Sequence, residues 1–130
     1  LVKQIGPTRI AFWDCALNSE WLAKARARNL LTTEAKSENS INRIAGVAEN
    51  PRFTERVIAG AEFDFRLSLK VIDGEDLLPL LLRGLKLLEL DSLGGSGSRG
   101  YGKVALAGLA LDGQSIQADL DRVQVFATGG

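Results

Sequence analysis

The sequence predicts an α+β fold, and three consecutive segments support this prediction. Residues 61–71 alternate apolar side chains with charged or polar ones, which is typical of a strand with one buried face. Residues 75–90 repeat leucine at the spacing of an amphipathic helix. A glycine-rich loop at residues 94–103 separates this helix from a further apolar segment. Strand, helix, loop and strand in this order match the second half of a ferredoxin-like α+β domain.

The first third of the chain predicts a strand, a helix and a hairpin. Residues 8–14 alternate in part and indicate the strand. Ser19 suits the N-cap of a helix over residues 20–30. Its expected buried face is Trp21, Leu22, Ala25 and Leu30, and its expected wet face is Lys24, Arg26 and Arg28. Residues 32–50 are rich in Ser, Thr, Asn and charge, so we expect an extended loop or hairpin there.

The second half begins with a turn at Asp73 and Gly74 and a helix over residues 75–90. Pro79 is tolerable only in its first turn, and the acidic residues Asp73, Glu75 and Asp76 suit its positive N-terminal end. The inner stripe is Leu78, Leu81, Leu82, Leu85 and Leu88. Leucines at 77, 80, 87 and 90 exceed one stripe, so we expect part of this helix to pack on another subunit. Strands are predicted over 103–111 and 122–126.

Length and composition indicate a single domain over residues 1–130, with residues 32–56 as an insertion. The net charge is zero, but residues 1–56 hold nine Lys or Arg against six Asp or Glu, which allows a local basic face. The single cysteine and the lack of a long apolar run predict a cytoplasmic location without membrane contact. The chain does not begin with methionine, and we expect it to be part of a longer protein.

The glycine-rich loop GGSGSRGYGK is the strongest candidate site for RNA. Glycines let the backbone approach phosphate oxygens, while guanidinium, ammonium and aromatic groups add charge and stacking. The predicted RNA-binding residues here are Gly94, Gly95, Ser96, Gly97, Ser98, Arg99, Gly100, Tyr101, Gly102 and Lys103. Partial matches to dinucleotide and Walker A patterns fail because those need a strand before the loop and a helix after it. A flexible connector is the alternative.

The polar segment at residues 32–56 is a second candidate RNA contact. Asparagine can bind base edges, and Lys or Arg can bind phosphates. The candidate residues are Lys36, Asn39, Asn42, Arg43 and Arg52. Since Glu34, Glu38, Glu49 and Glu55 offset the positive charge, a solvated loop explains this composition equally well.

The segments TEAKSENSINRIAGVAENPRFTERV and GLKLLELDSLGGSGSRGYGKV, in this order, resemble the Csm-type backbone subunit of type III CRISPR effector complexes, a member of the RAMP superfamily. The resemblance covers about residues 9–109, the C-terminal portion of such a subunit. It implies a ferredoxin-like or RRM-like RAMP fold that polymerises along guide RNA. It also implies that the glycine-rich loop lies by the RNA face and that a thumb-like hairpin separates guide from target. The implied partners are guide and target RNA and other complex subunits, including like subunits, in antiviral defence.

The family resembled is an endoribonuclease family that uses a metal-assisted aspartate in its N-terminal half. No segment here matches that catalytic loop, so we assign no catalytic residue and no metal ligand, and Asp14 is not given the role. The resemblance allows Mg²⁺ for the complete family subunit, but we expect no cofactor in this chain. A chain without histidine and with one cysteine cannot alone build a zinc site or a Cys/His pair. The alternatives are a metal-dependent endoribonuclease and an interaction module without an RNA role.

The acidic residues of the second half could also hold Mg²⁺. We favour ordinary charge at helix ends for this set, which is Asp73, Glu75, Asp76, Glu89 and Asp91. Asp112, Asp119 and Asp121 lie near Gly113 and are predicted turn residues.

Overall fold

The computed structural model describes residues 7–42 and 46–125. The chain divides into two compact units, Leu1–Lys70 and Val71–Gly130. Among the described residues, the first unit combines one α-helix with two two-stranded antiparallel sheets, and the second combines two α-helices with one such sheet. The α+β class is confirmed at this level. The single-domain assignment over 1–130 stays a prediction. No helix among the described residues is both long and apolar enough to cross a membrane.

One sheet of the first unit is short, and backbone hydrogen bonds continue its pairing on both sides. Strand β1, Ile10–Phe12, pairs with β4, Leu67–Leu69. Further hydrogen bonds run from Lys70 N to Arg9 O (2.6 Å), from Trp13 N to Arg66 O (3.1 Å) and from Asn18 N to Glu62 O (2.9 Å). The predicted strand over 61–71 is therefore paired along most of its length but is regular only at β4.

The pairing loses regularity because one strand carries an extra residue. Phe12 lies opposite Leu67, and five residues later Leu17 bridges to Phe63, only four residues away on the other strand. Such a bulge disrupts the ladder locally and bends the strand that carries the extra residue. This explains why regular alternation in the sequence produced only a three-residue strand.

The predicted hairpin is confirmed. Strands β2, Thr33–Asn42, and β3, Val47–Val57, pair antiparallel with Thr33 opposite Val57. The register shifts between Glu38 and Ser40. The hairpin continues past residue 50 to Val57, where Arg56 pairs with Glu34 and Glu55 accepts a hydrogen bond from Thr33 Oγ1 across the ladder.

Helix α1, Ser19–Ala27, is confirmed with two corrections. Its N-cap is Asn18 and not Ser19, since the Asn18 Oδ1 accepts a hydrogen bond from Trp21 N at 3.0 Å. Ala25 is buried as expected, but Leu30 is 48% exposed. The helix ends before Leu30, and Asn29 takes a positive φ of 56°, so Leu30 leaves the buried face.

In the second unit the leucine-rich helix α2 spans Leu78–Leu90 and starts three residues later than predicted. Pro79 lies in its first turn, as expected. The acidic residues 73, 75 and 76 precede the helix and are not part of its first turn, because positive φ angles at Asp73 and Gly74 turn the chain there. Leu82 and Leu85 are buried, while Leu80 is 68% exposed.

The predicted strands of the last segment are mostly wrong. Within 103–111 only β5, Ala110–Leu111, is a strand, and it pairs with β6, Gln114–Ser115. In the segment before β5, backbone N–H groups bond to side chains and not to a neighbouring strand. Leu106 N donates to Glu89 Oε2 at 2.8 Å, and Leu109 N donates to Gln117 Oε1 at 2.9 Å. Residues 122–125 form no strand, and position 126 lies outside the described residues.

A short helix α3, Gln117–Asp121, occupies the segment before residue 122. Asp119 and Asp121 therefore belong to a helix, which corrects their assignment to a turn. Asp112 does lie in the turn between β5 and β6, with a positive φ of 48°. The buried residues of the described part of this unit are Leu82, Leu85, Tyr101 and Leu120.

Candidate nucleic-acid interface

The glycine-rich loop starts where α2 ends, and Lys103 fastens its far end to that helix. Lys103 Nζ donates to the backbone oxygens of Asp91 (2.7 Å) and Leu90 (3.3 Å). These carbonyls form the negative end of the helix, so the ammonium both satisfies them and complements the helix dipole. Lys103 was predicted as an RNA contact, and in the structure its ammonium also caps α2.

The base of the loop is closed by backbone packing at Gly102. Leu93 N donates to Gly102 O at 2.8 Å. Gly102 has a φ of +77°, and a Cβ placed there would overlap the Leu93 carbonyl oxygen. A Cβ at Gly97 would overlap only the Ser92 hydroxyl, the end of a side chain that can rotate, so Gly97 is less restricted. Gly94 and Gly100 have φ angles of +84° and +86°, so with Gly102 three of the five glycines hold left-handed conformations that the loop itself requires, as the connector alternative expects.

The tip of the loop is an ordered turn. Ser96 adopts a left-handed conformation with φ 58°, and a short 3-10 helix, Gly97–Arg99, follows. Arg99 N donates to Ser96 O and Gly100 N to Gly97 O, both at 3.0 Å. Tyr101 is only 7% exposed, so its ring packs inside the unit and offers little surface to a base.

The first part of the loop is largely exposed. None of the N–H groups of residues 94–98 donates to a backbone acceptor among the described residues. All of these residues are exposed except Gly97, which is half-buried. Successive N–H groups that have no backbone acceptor and lie next to a left-handed residue can bind an anion. Ser96, Ser98 and Arg99 add exposed hydroxyl and guanidinium groups beside them.

Gly95 has no structural reason to be glycine within the described part of the chain. Its φ is not in the positive range, and a Cβ there would meet nothing within 4 Å. A ligand that approaches the backbone closely would supply the missing reason. The arrangement can therefore hold a phosphate group, with the backbone of residues 94–98 as donor.

The hairpin brings two of its candidate residues to one face. Lys36 lies opposite Thr54, and Arg52 lies two residues from Thr54 on the same strand, so Lys36 and Arg52 share a face. Arg56 on this face is paired with Glu34 at 2.8 Å, an exposed ion pair that contributes at most about 1 kcal/mol. Its charge is thus partly neutralised.

The other hairpin candidates are only partly described. Asn39 and Asn42 belong to β2, but their side chains are not among those described. Arg43 lies outside the described residues. The hairpin and the glycine-rich loop belong to different units, and each candidate surface stands by itself.

The residues that shape the loop were not predicted from the sequence. Ser92 and Leu93 limit Gly97 and Gly102, and Glu89 holds the backbone after the loop through Leu106 N. One signal was present, since the charged Glu89 lies between leucines near the end of a leucine-rich helix. Within residues 7–42 and 46–125, no three His, Cys, Asp or Glu side chains gather as a metal site would require.

Known proteins resemble this chain over most of its length. The CRISPR system Cms endoribonuclease Csm3 of Streptococcus thermophilus is 47% identical over 109 residues, which cover 79% of this chain and 48% of the relative. The protein of the same name from Mycobacterium tuberculosis is 42% identical over 132 aligned positions, covering 84% of this chain and 55% of the relative. That of Methanothermobacter thermautotrophicus is 47% identical over 79 residues, 60% of this chain and 32% of the relative.

The chain spans about half the length of the curated relatives it matches. No family model matches it. Five curated relatives with 37% to 47% identity carry the same name. The chain therefore belongs to the family of Csm3-type subunits of type III CRISPR systems.

Proposed function

We propose that the chain is the RNA-binding part of a backbone subunit of a type III CRISPR effector complex. It holds guide RNA and helps to display it to target RNA, together with other subunits of the complex, including like subunits. Family membership supports the setting. The single observation that carries the RNA contact is the largely exposed row of N–H groups at residues 94–98, which donate to no backbone acceptor among the described residues.

The fold that fits this role is a ferredoxin-like RAMP fold, of which the chain forms the C-terminal portion. Helix α2, the loop and the short strand β5 after it follow the order of that fold. The hairpin β2–β3 corresponds to the thumb-like insertion at residues 32–56, with Lys36, Asn39, Asn42, Arg43 and Arg52 as its RNA contacts. Its antiparallel ladder gives the reach that separating two RNA strands would need.

The loop binds the sugar-phosphate backbone without reading sequence. Backbone N–H groups donate charge-assisted hydrogen bonds to phosphate oxygens, each worth about 1.5–3 kcal/mol. Arg99 adds a positive charge at the end of this row. Such contacts position RNA but do not distinguish bases, which suits a subunit that carries many different guides.

The test is RNA binding by the full chain with Gly95→Ala and, separately, Arg99→Gln. Labelled unstructured single-stranded RNA is titrated by fluorescence anisotropy at several salt concentrations. Gly95→Ala should weaken binding by about 1–3 kcal/mol, since the methyl group blocks the close approach of a phosphate. Arg99→Gln should lower the slope of log K against log salt by about 0.7, the value for one contact with a single strand.

Gly84→Ala is the matched control, because Gly84 lies in α2 and a Cβ there also meets nothing within 4 Å. It should bind RNA as the unchanged chain does. Lys103→Ala is a poor probe, since it removes the cap of α2 together with the charge. Unaltered affinity and salt slope in both loop variants would contradict the proposal, and a chain that binds no RNA would favour an interaction module.

The relatives are named as endoribonucleases, which supports a second candidate, a metal-dependent endoribonuclease that acts on target RNA. We propose that its catalytic aspartate lies in a portion of the protein outside these residues. The check is cleavage of a labelled target RNA by the full chain with Mg²⁺. Cleavage by these 130 residues would show that an aspartate of this chain performs the reaction.

A further inference from the structure

One face of the β1–β4 pairing carries cations and an aromatic ring. In an antiparallel ladder, cross-strand partners share a face. Ala11 lies opposite Ser68, and hydrogen bonds extend the pairing to Arg9 with Lys70 and to Trp13 with Arg66. We define the β1–β4 platform as these six residues, Arg9, Ala11, Trp13, Arg66, Ser68 and Lys70. Three of them are cationic and none is acidic.

Trp13 is held in place at the surface of the platform. Its indole Nε1 donates to Ser68 Oγ at 2.9 Å, and the Arg66 guanidinium carbon lies 5.8 Å from the ring centroid. The side chain is nonetheless 55% exposed. An exposed apolar ring is unfavourable in water, and this ring adds little to a buried core although two neighbours fix its orientation.

The charge on the platform identifies the class of partner. Arg66 and Lys70 are exposed, and Arg9 is half-buried beside Lys70. A groove of about 230 Å³, lined by residues 8–11 and 68–70, lies at the Arg9 and Lys70 end. At the other end Asp64 accepts a hydrogen bond from the Asn18 amide at 2.9 Å and marks the limit of the basic surface. Positive charge next to an aromatic ring complements a flexible polyanion with accessible bases.

We propose that the β1–β4 platform binds single-stranded RNA, with Trp13 stacking on an unpaired base and Arg66, Lys70 and Arg9 contacting the flanking phosphates. This inference rests on the proposed RNA-binding function and adds a surface in the first unit to the loop in the second. The Arg66 guanidinium can stack against the base from beside the indole. Paired bases cannot stack on Trp13, so the platform selects single strands.

The experiment compares variants of the full chain in the same anisotropy titration. Trp13→Ala should bind single-stranded RNA roughly five- to hundredfold more weakly, and Trp13→Phe should recover most of the affinity because a ring remains. Arg66→Gln with Lys70→Gln should reduce the salt slope by about 1.4, for two lost phosphate contacts. Lys24→Gln with Arg26→Gln is the matched control: it removes the same charge from the exposed face of α1 in the same unit and should change neither quantity.

A second readout reports the ring directly. With Trp21→Phe, Trp13 is the remaining tryptophan of the chain, and single-stranded RNA should quench its fluorescence while duplex RNA should not. Thermal unfolding followed by circular dichroism should be the same for Trp13→Ala and Trp13→Phe.

The outcomes separate the two proposals. If Gly95→Ala weakens binding but the platform variants do not, the loop binds RNA and the platform does not. Equal quenching by duplex RNA, or a control variant as weak as Arg66→Gln with Lys70→Gln, would also overturn the platform. A chain that binds no RNA at all would refute the proposed function, and the platform with it.

Discussion

At the scale of single residues, the glycines of the loop differ in the reason for their presence. Gly102 combines a positive φ with close contact to the Leu93 backbone, whereas Gly95 has neither constraint. Lys103 also has a second role, since its ammonium caps α2. The same sequence motif therefore contains residues that build the loop and residues that are open to a ligand.

This difference predicts the effect of adding one methyl group at Gly102. Gly102→Ala should lower the free energy of unfolding by roughly 2–4 kcal/mol, because the left-handed conformation costs about 1–2 kcal/mol and the overlap with Leu93 O forces a shift. Gly113→Ala isolates the first cost: Gly113 has φ +83° but no atom within 4 Å of its Cβ position. Urea unfolding measures both. Equal losses would mean that the backbone at residues 93 and 102 moves apart easily.

At the scale of elements, the start of α1 depends on one side chain. The Asn18 Oδ1 accepts from Trp21 N, and the Asn18 amide also reaches Asp64 Oδ1, so the residue joins the helix to the strand segment beside it. Asn18→Ala should destabilise the chain by about 0.5–2 kcal/mol. Ser19→Ala is the control, because Ser19 is already helical and should cost under about 0.5 kcal/mol. Thermal unfolding by circular dichroism compares them; a larger loss at Ser19 would restore it as the cap.

Elements whose signal is local could be predicted from the sequence, and those that depend on distant partners could not. The leucine stripe around Leu82 and the polar hairpin residues carry their own periodicity or turn chemistry, and both elements were found. The segment 103–109 has the composition of a strand, but Glu89 and Gln117 take its backbone groups. A side chain that replaces a ladder partner leaves no pattern in the segment itself.

The candidate site followed the same rule. The position of the loop was predictable because its residues are contiguous. The burial of Tyr101 and the capping role of Lys103 were not, because both arise when Gly102 returns to Leu93. The platform around Trp13 was also missed, since it joins residues 55 positions apart, as the hydrogen bond from Trp13 to Ser68 shows.

At the scale of the whole molecule, the two units have little interior of their own. In the described part of the chain the buried hydrophobic residues are Ala25 in the first unit and Leu82, Leu85, Tyr101 and Leu120 in the second. Helix α2 also leaves Leu80, Leu87 and Leu90 at 68%, 43% and 55% exposure. Exposed apolar surface of this kind is typical of sites that contact another protein surface.

Helix α2 offers a direct test of this view, since buried and exposed leucines alternate on it. Leu82→Ala should cost about 2–5 kcal/mol of unfolding free energy, because it leaves a cavity in the small core. Replacing Leu80, Leu87 and Leu90 together with Ala should change stability by less than about 1 kcal/mol, since alanine favours helix and little burial is lost. The triple variant should also self-associate less, as sedimentation velocity at increasing concentration would show.

Two outcomes would contradict this prediction. A triple variant as unstable as Leu82→Ala would place these leucines in the protein's own core, and unchanged sedimentation would remove the reason to expect a subunit contact on this face.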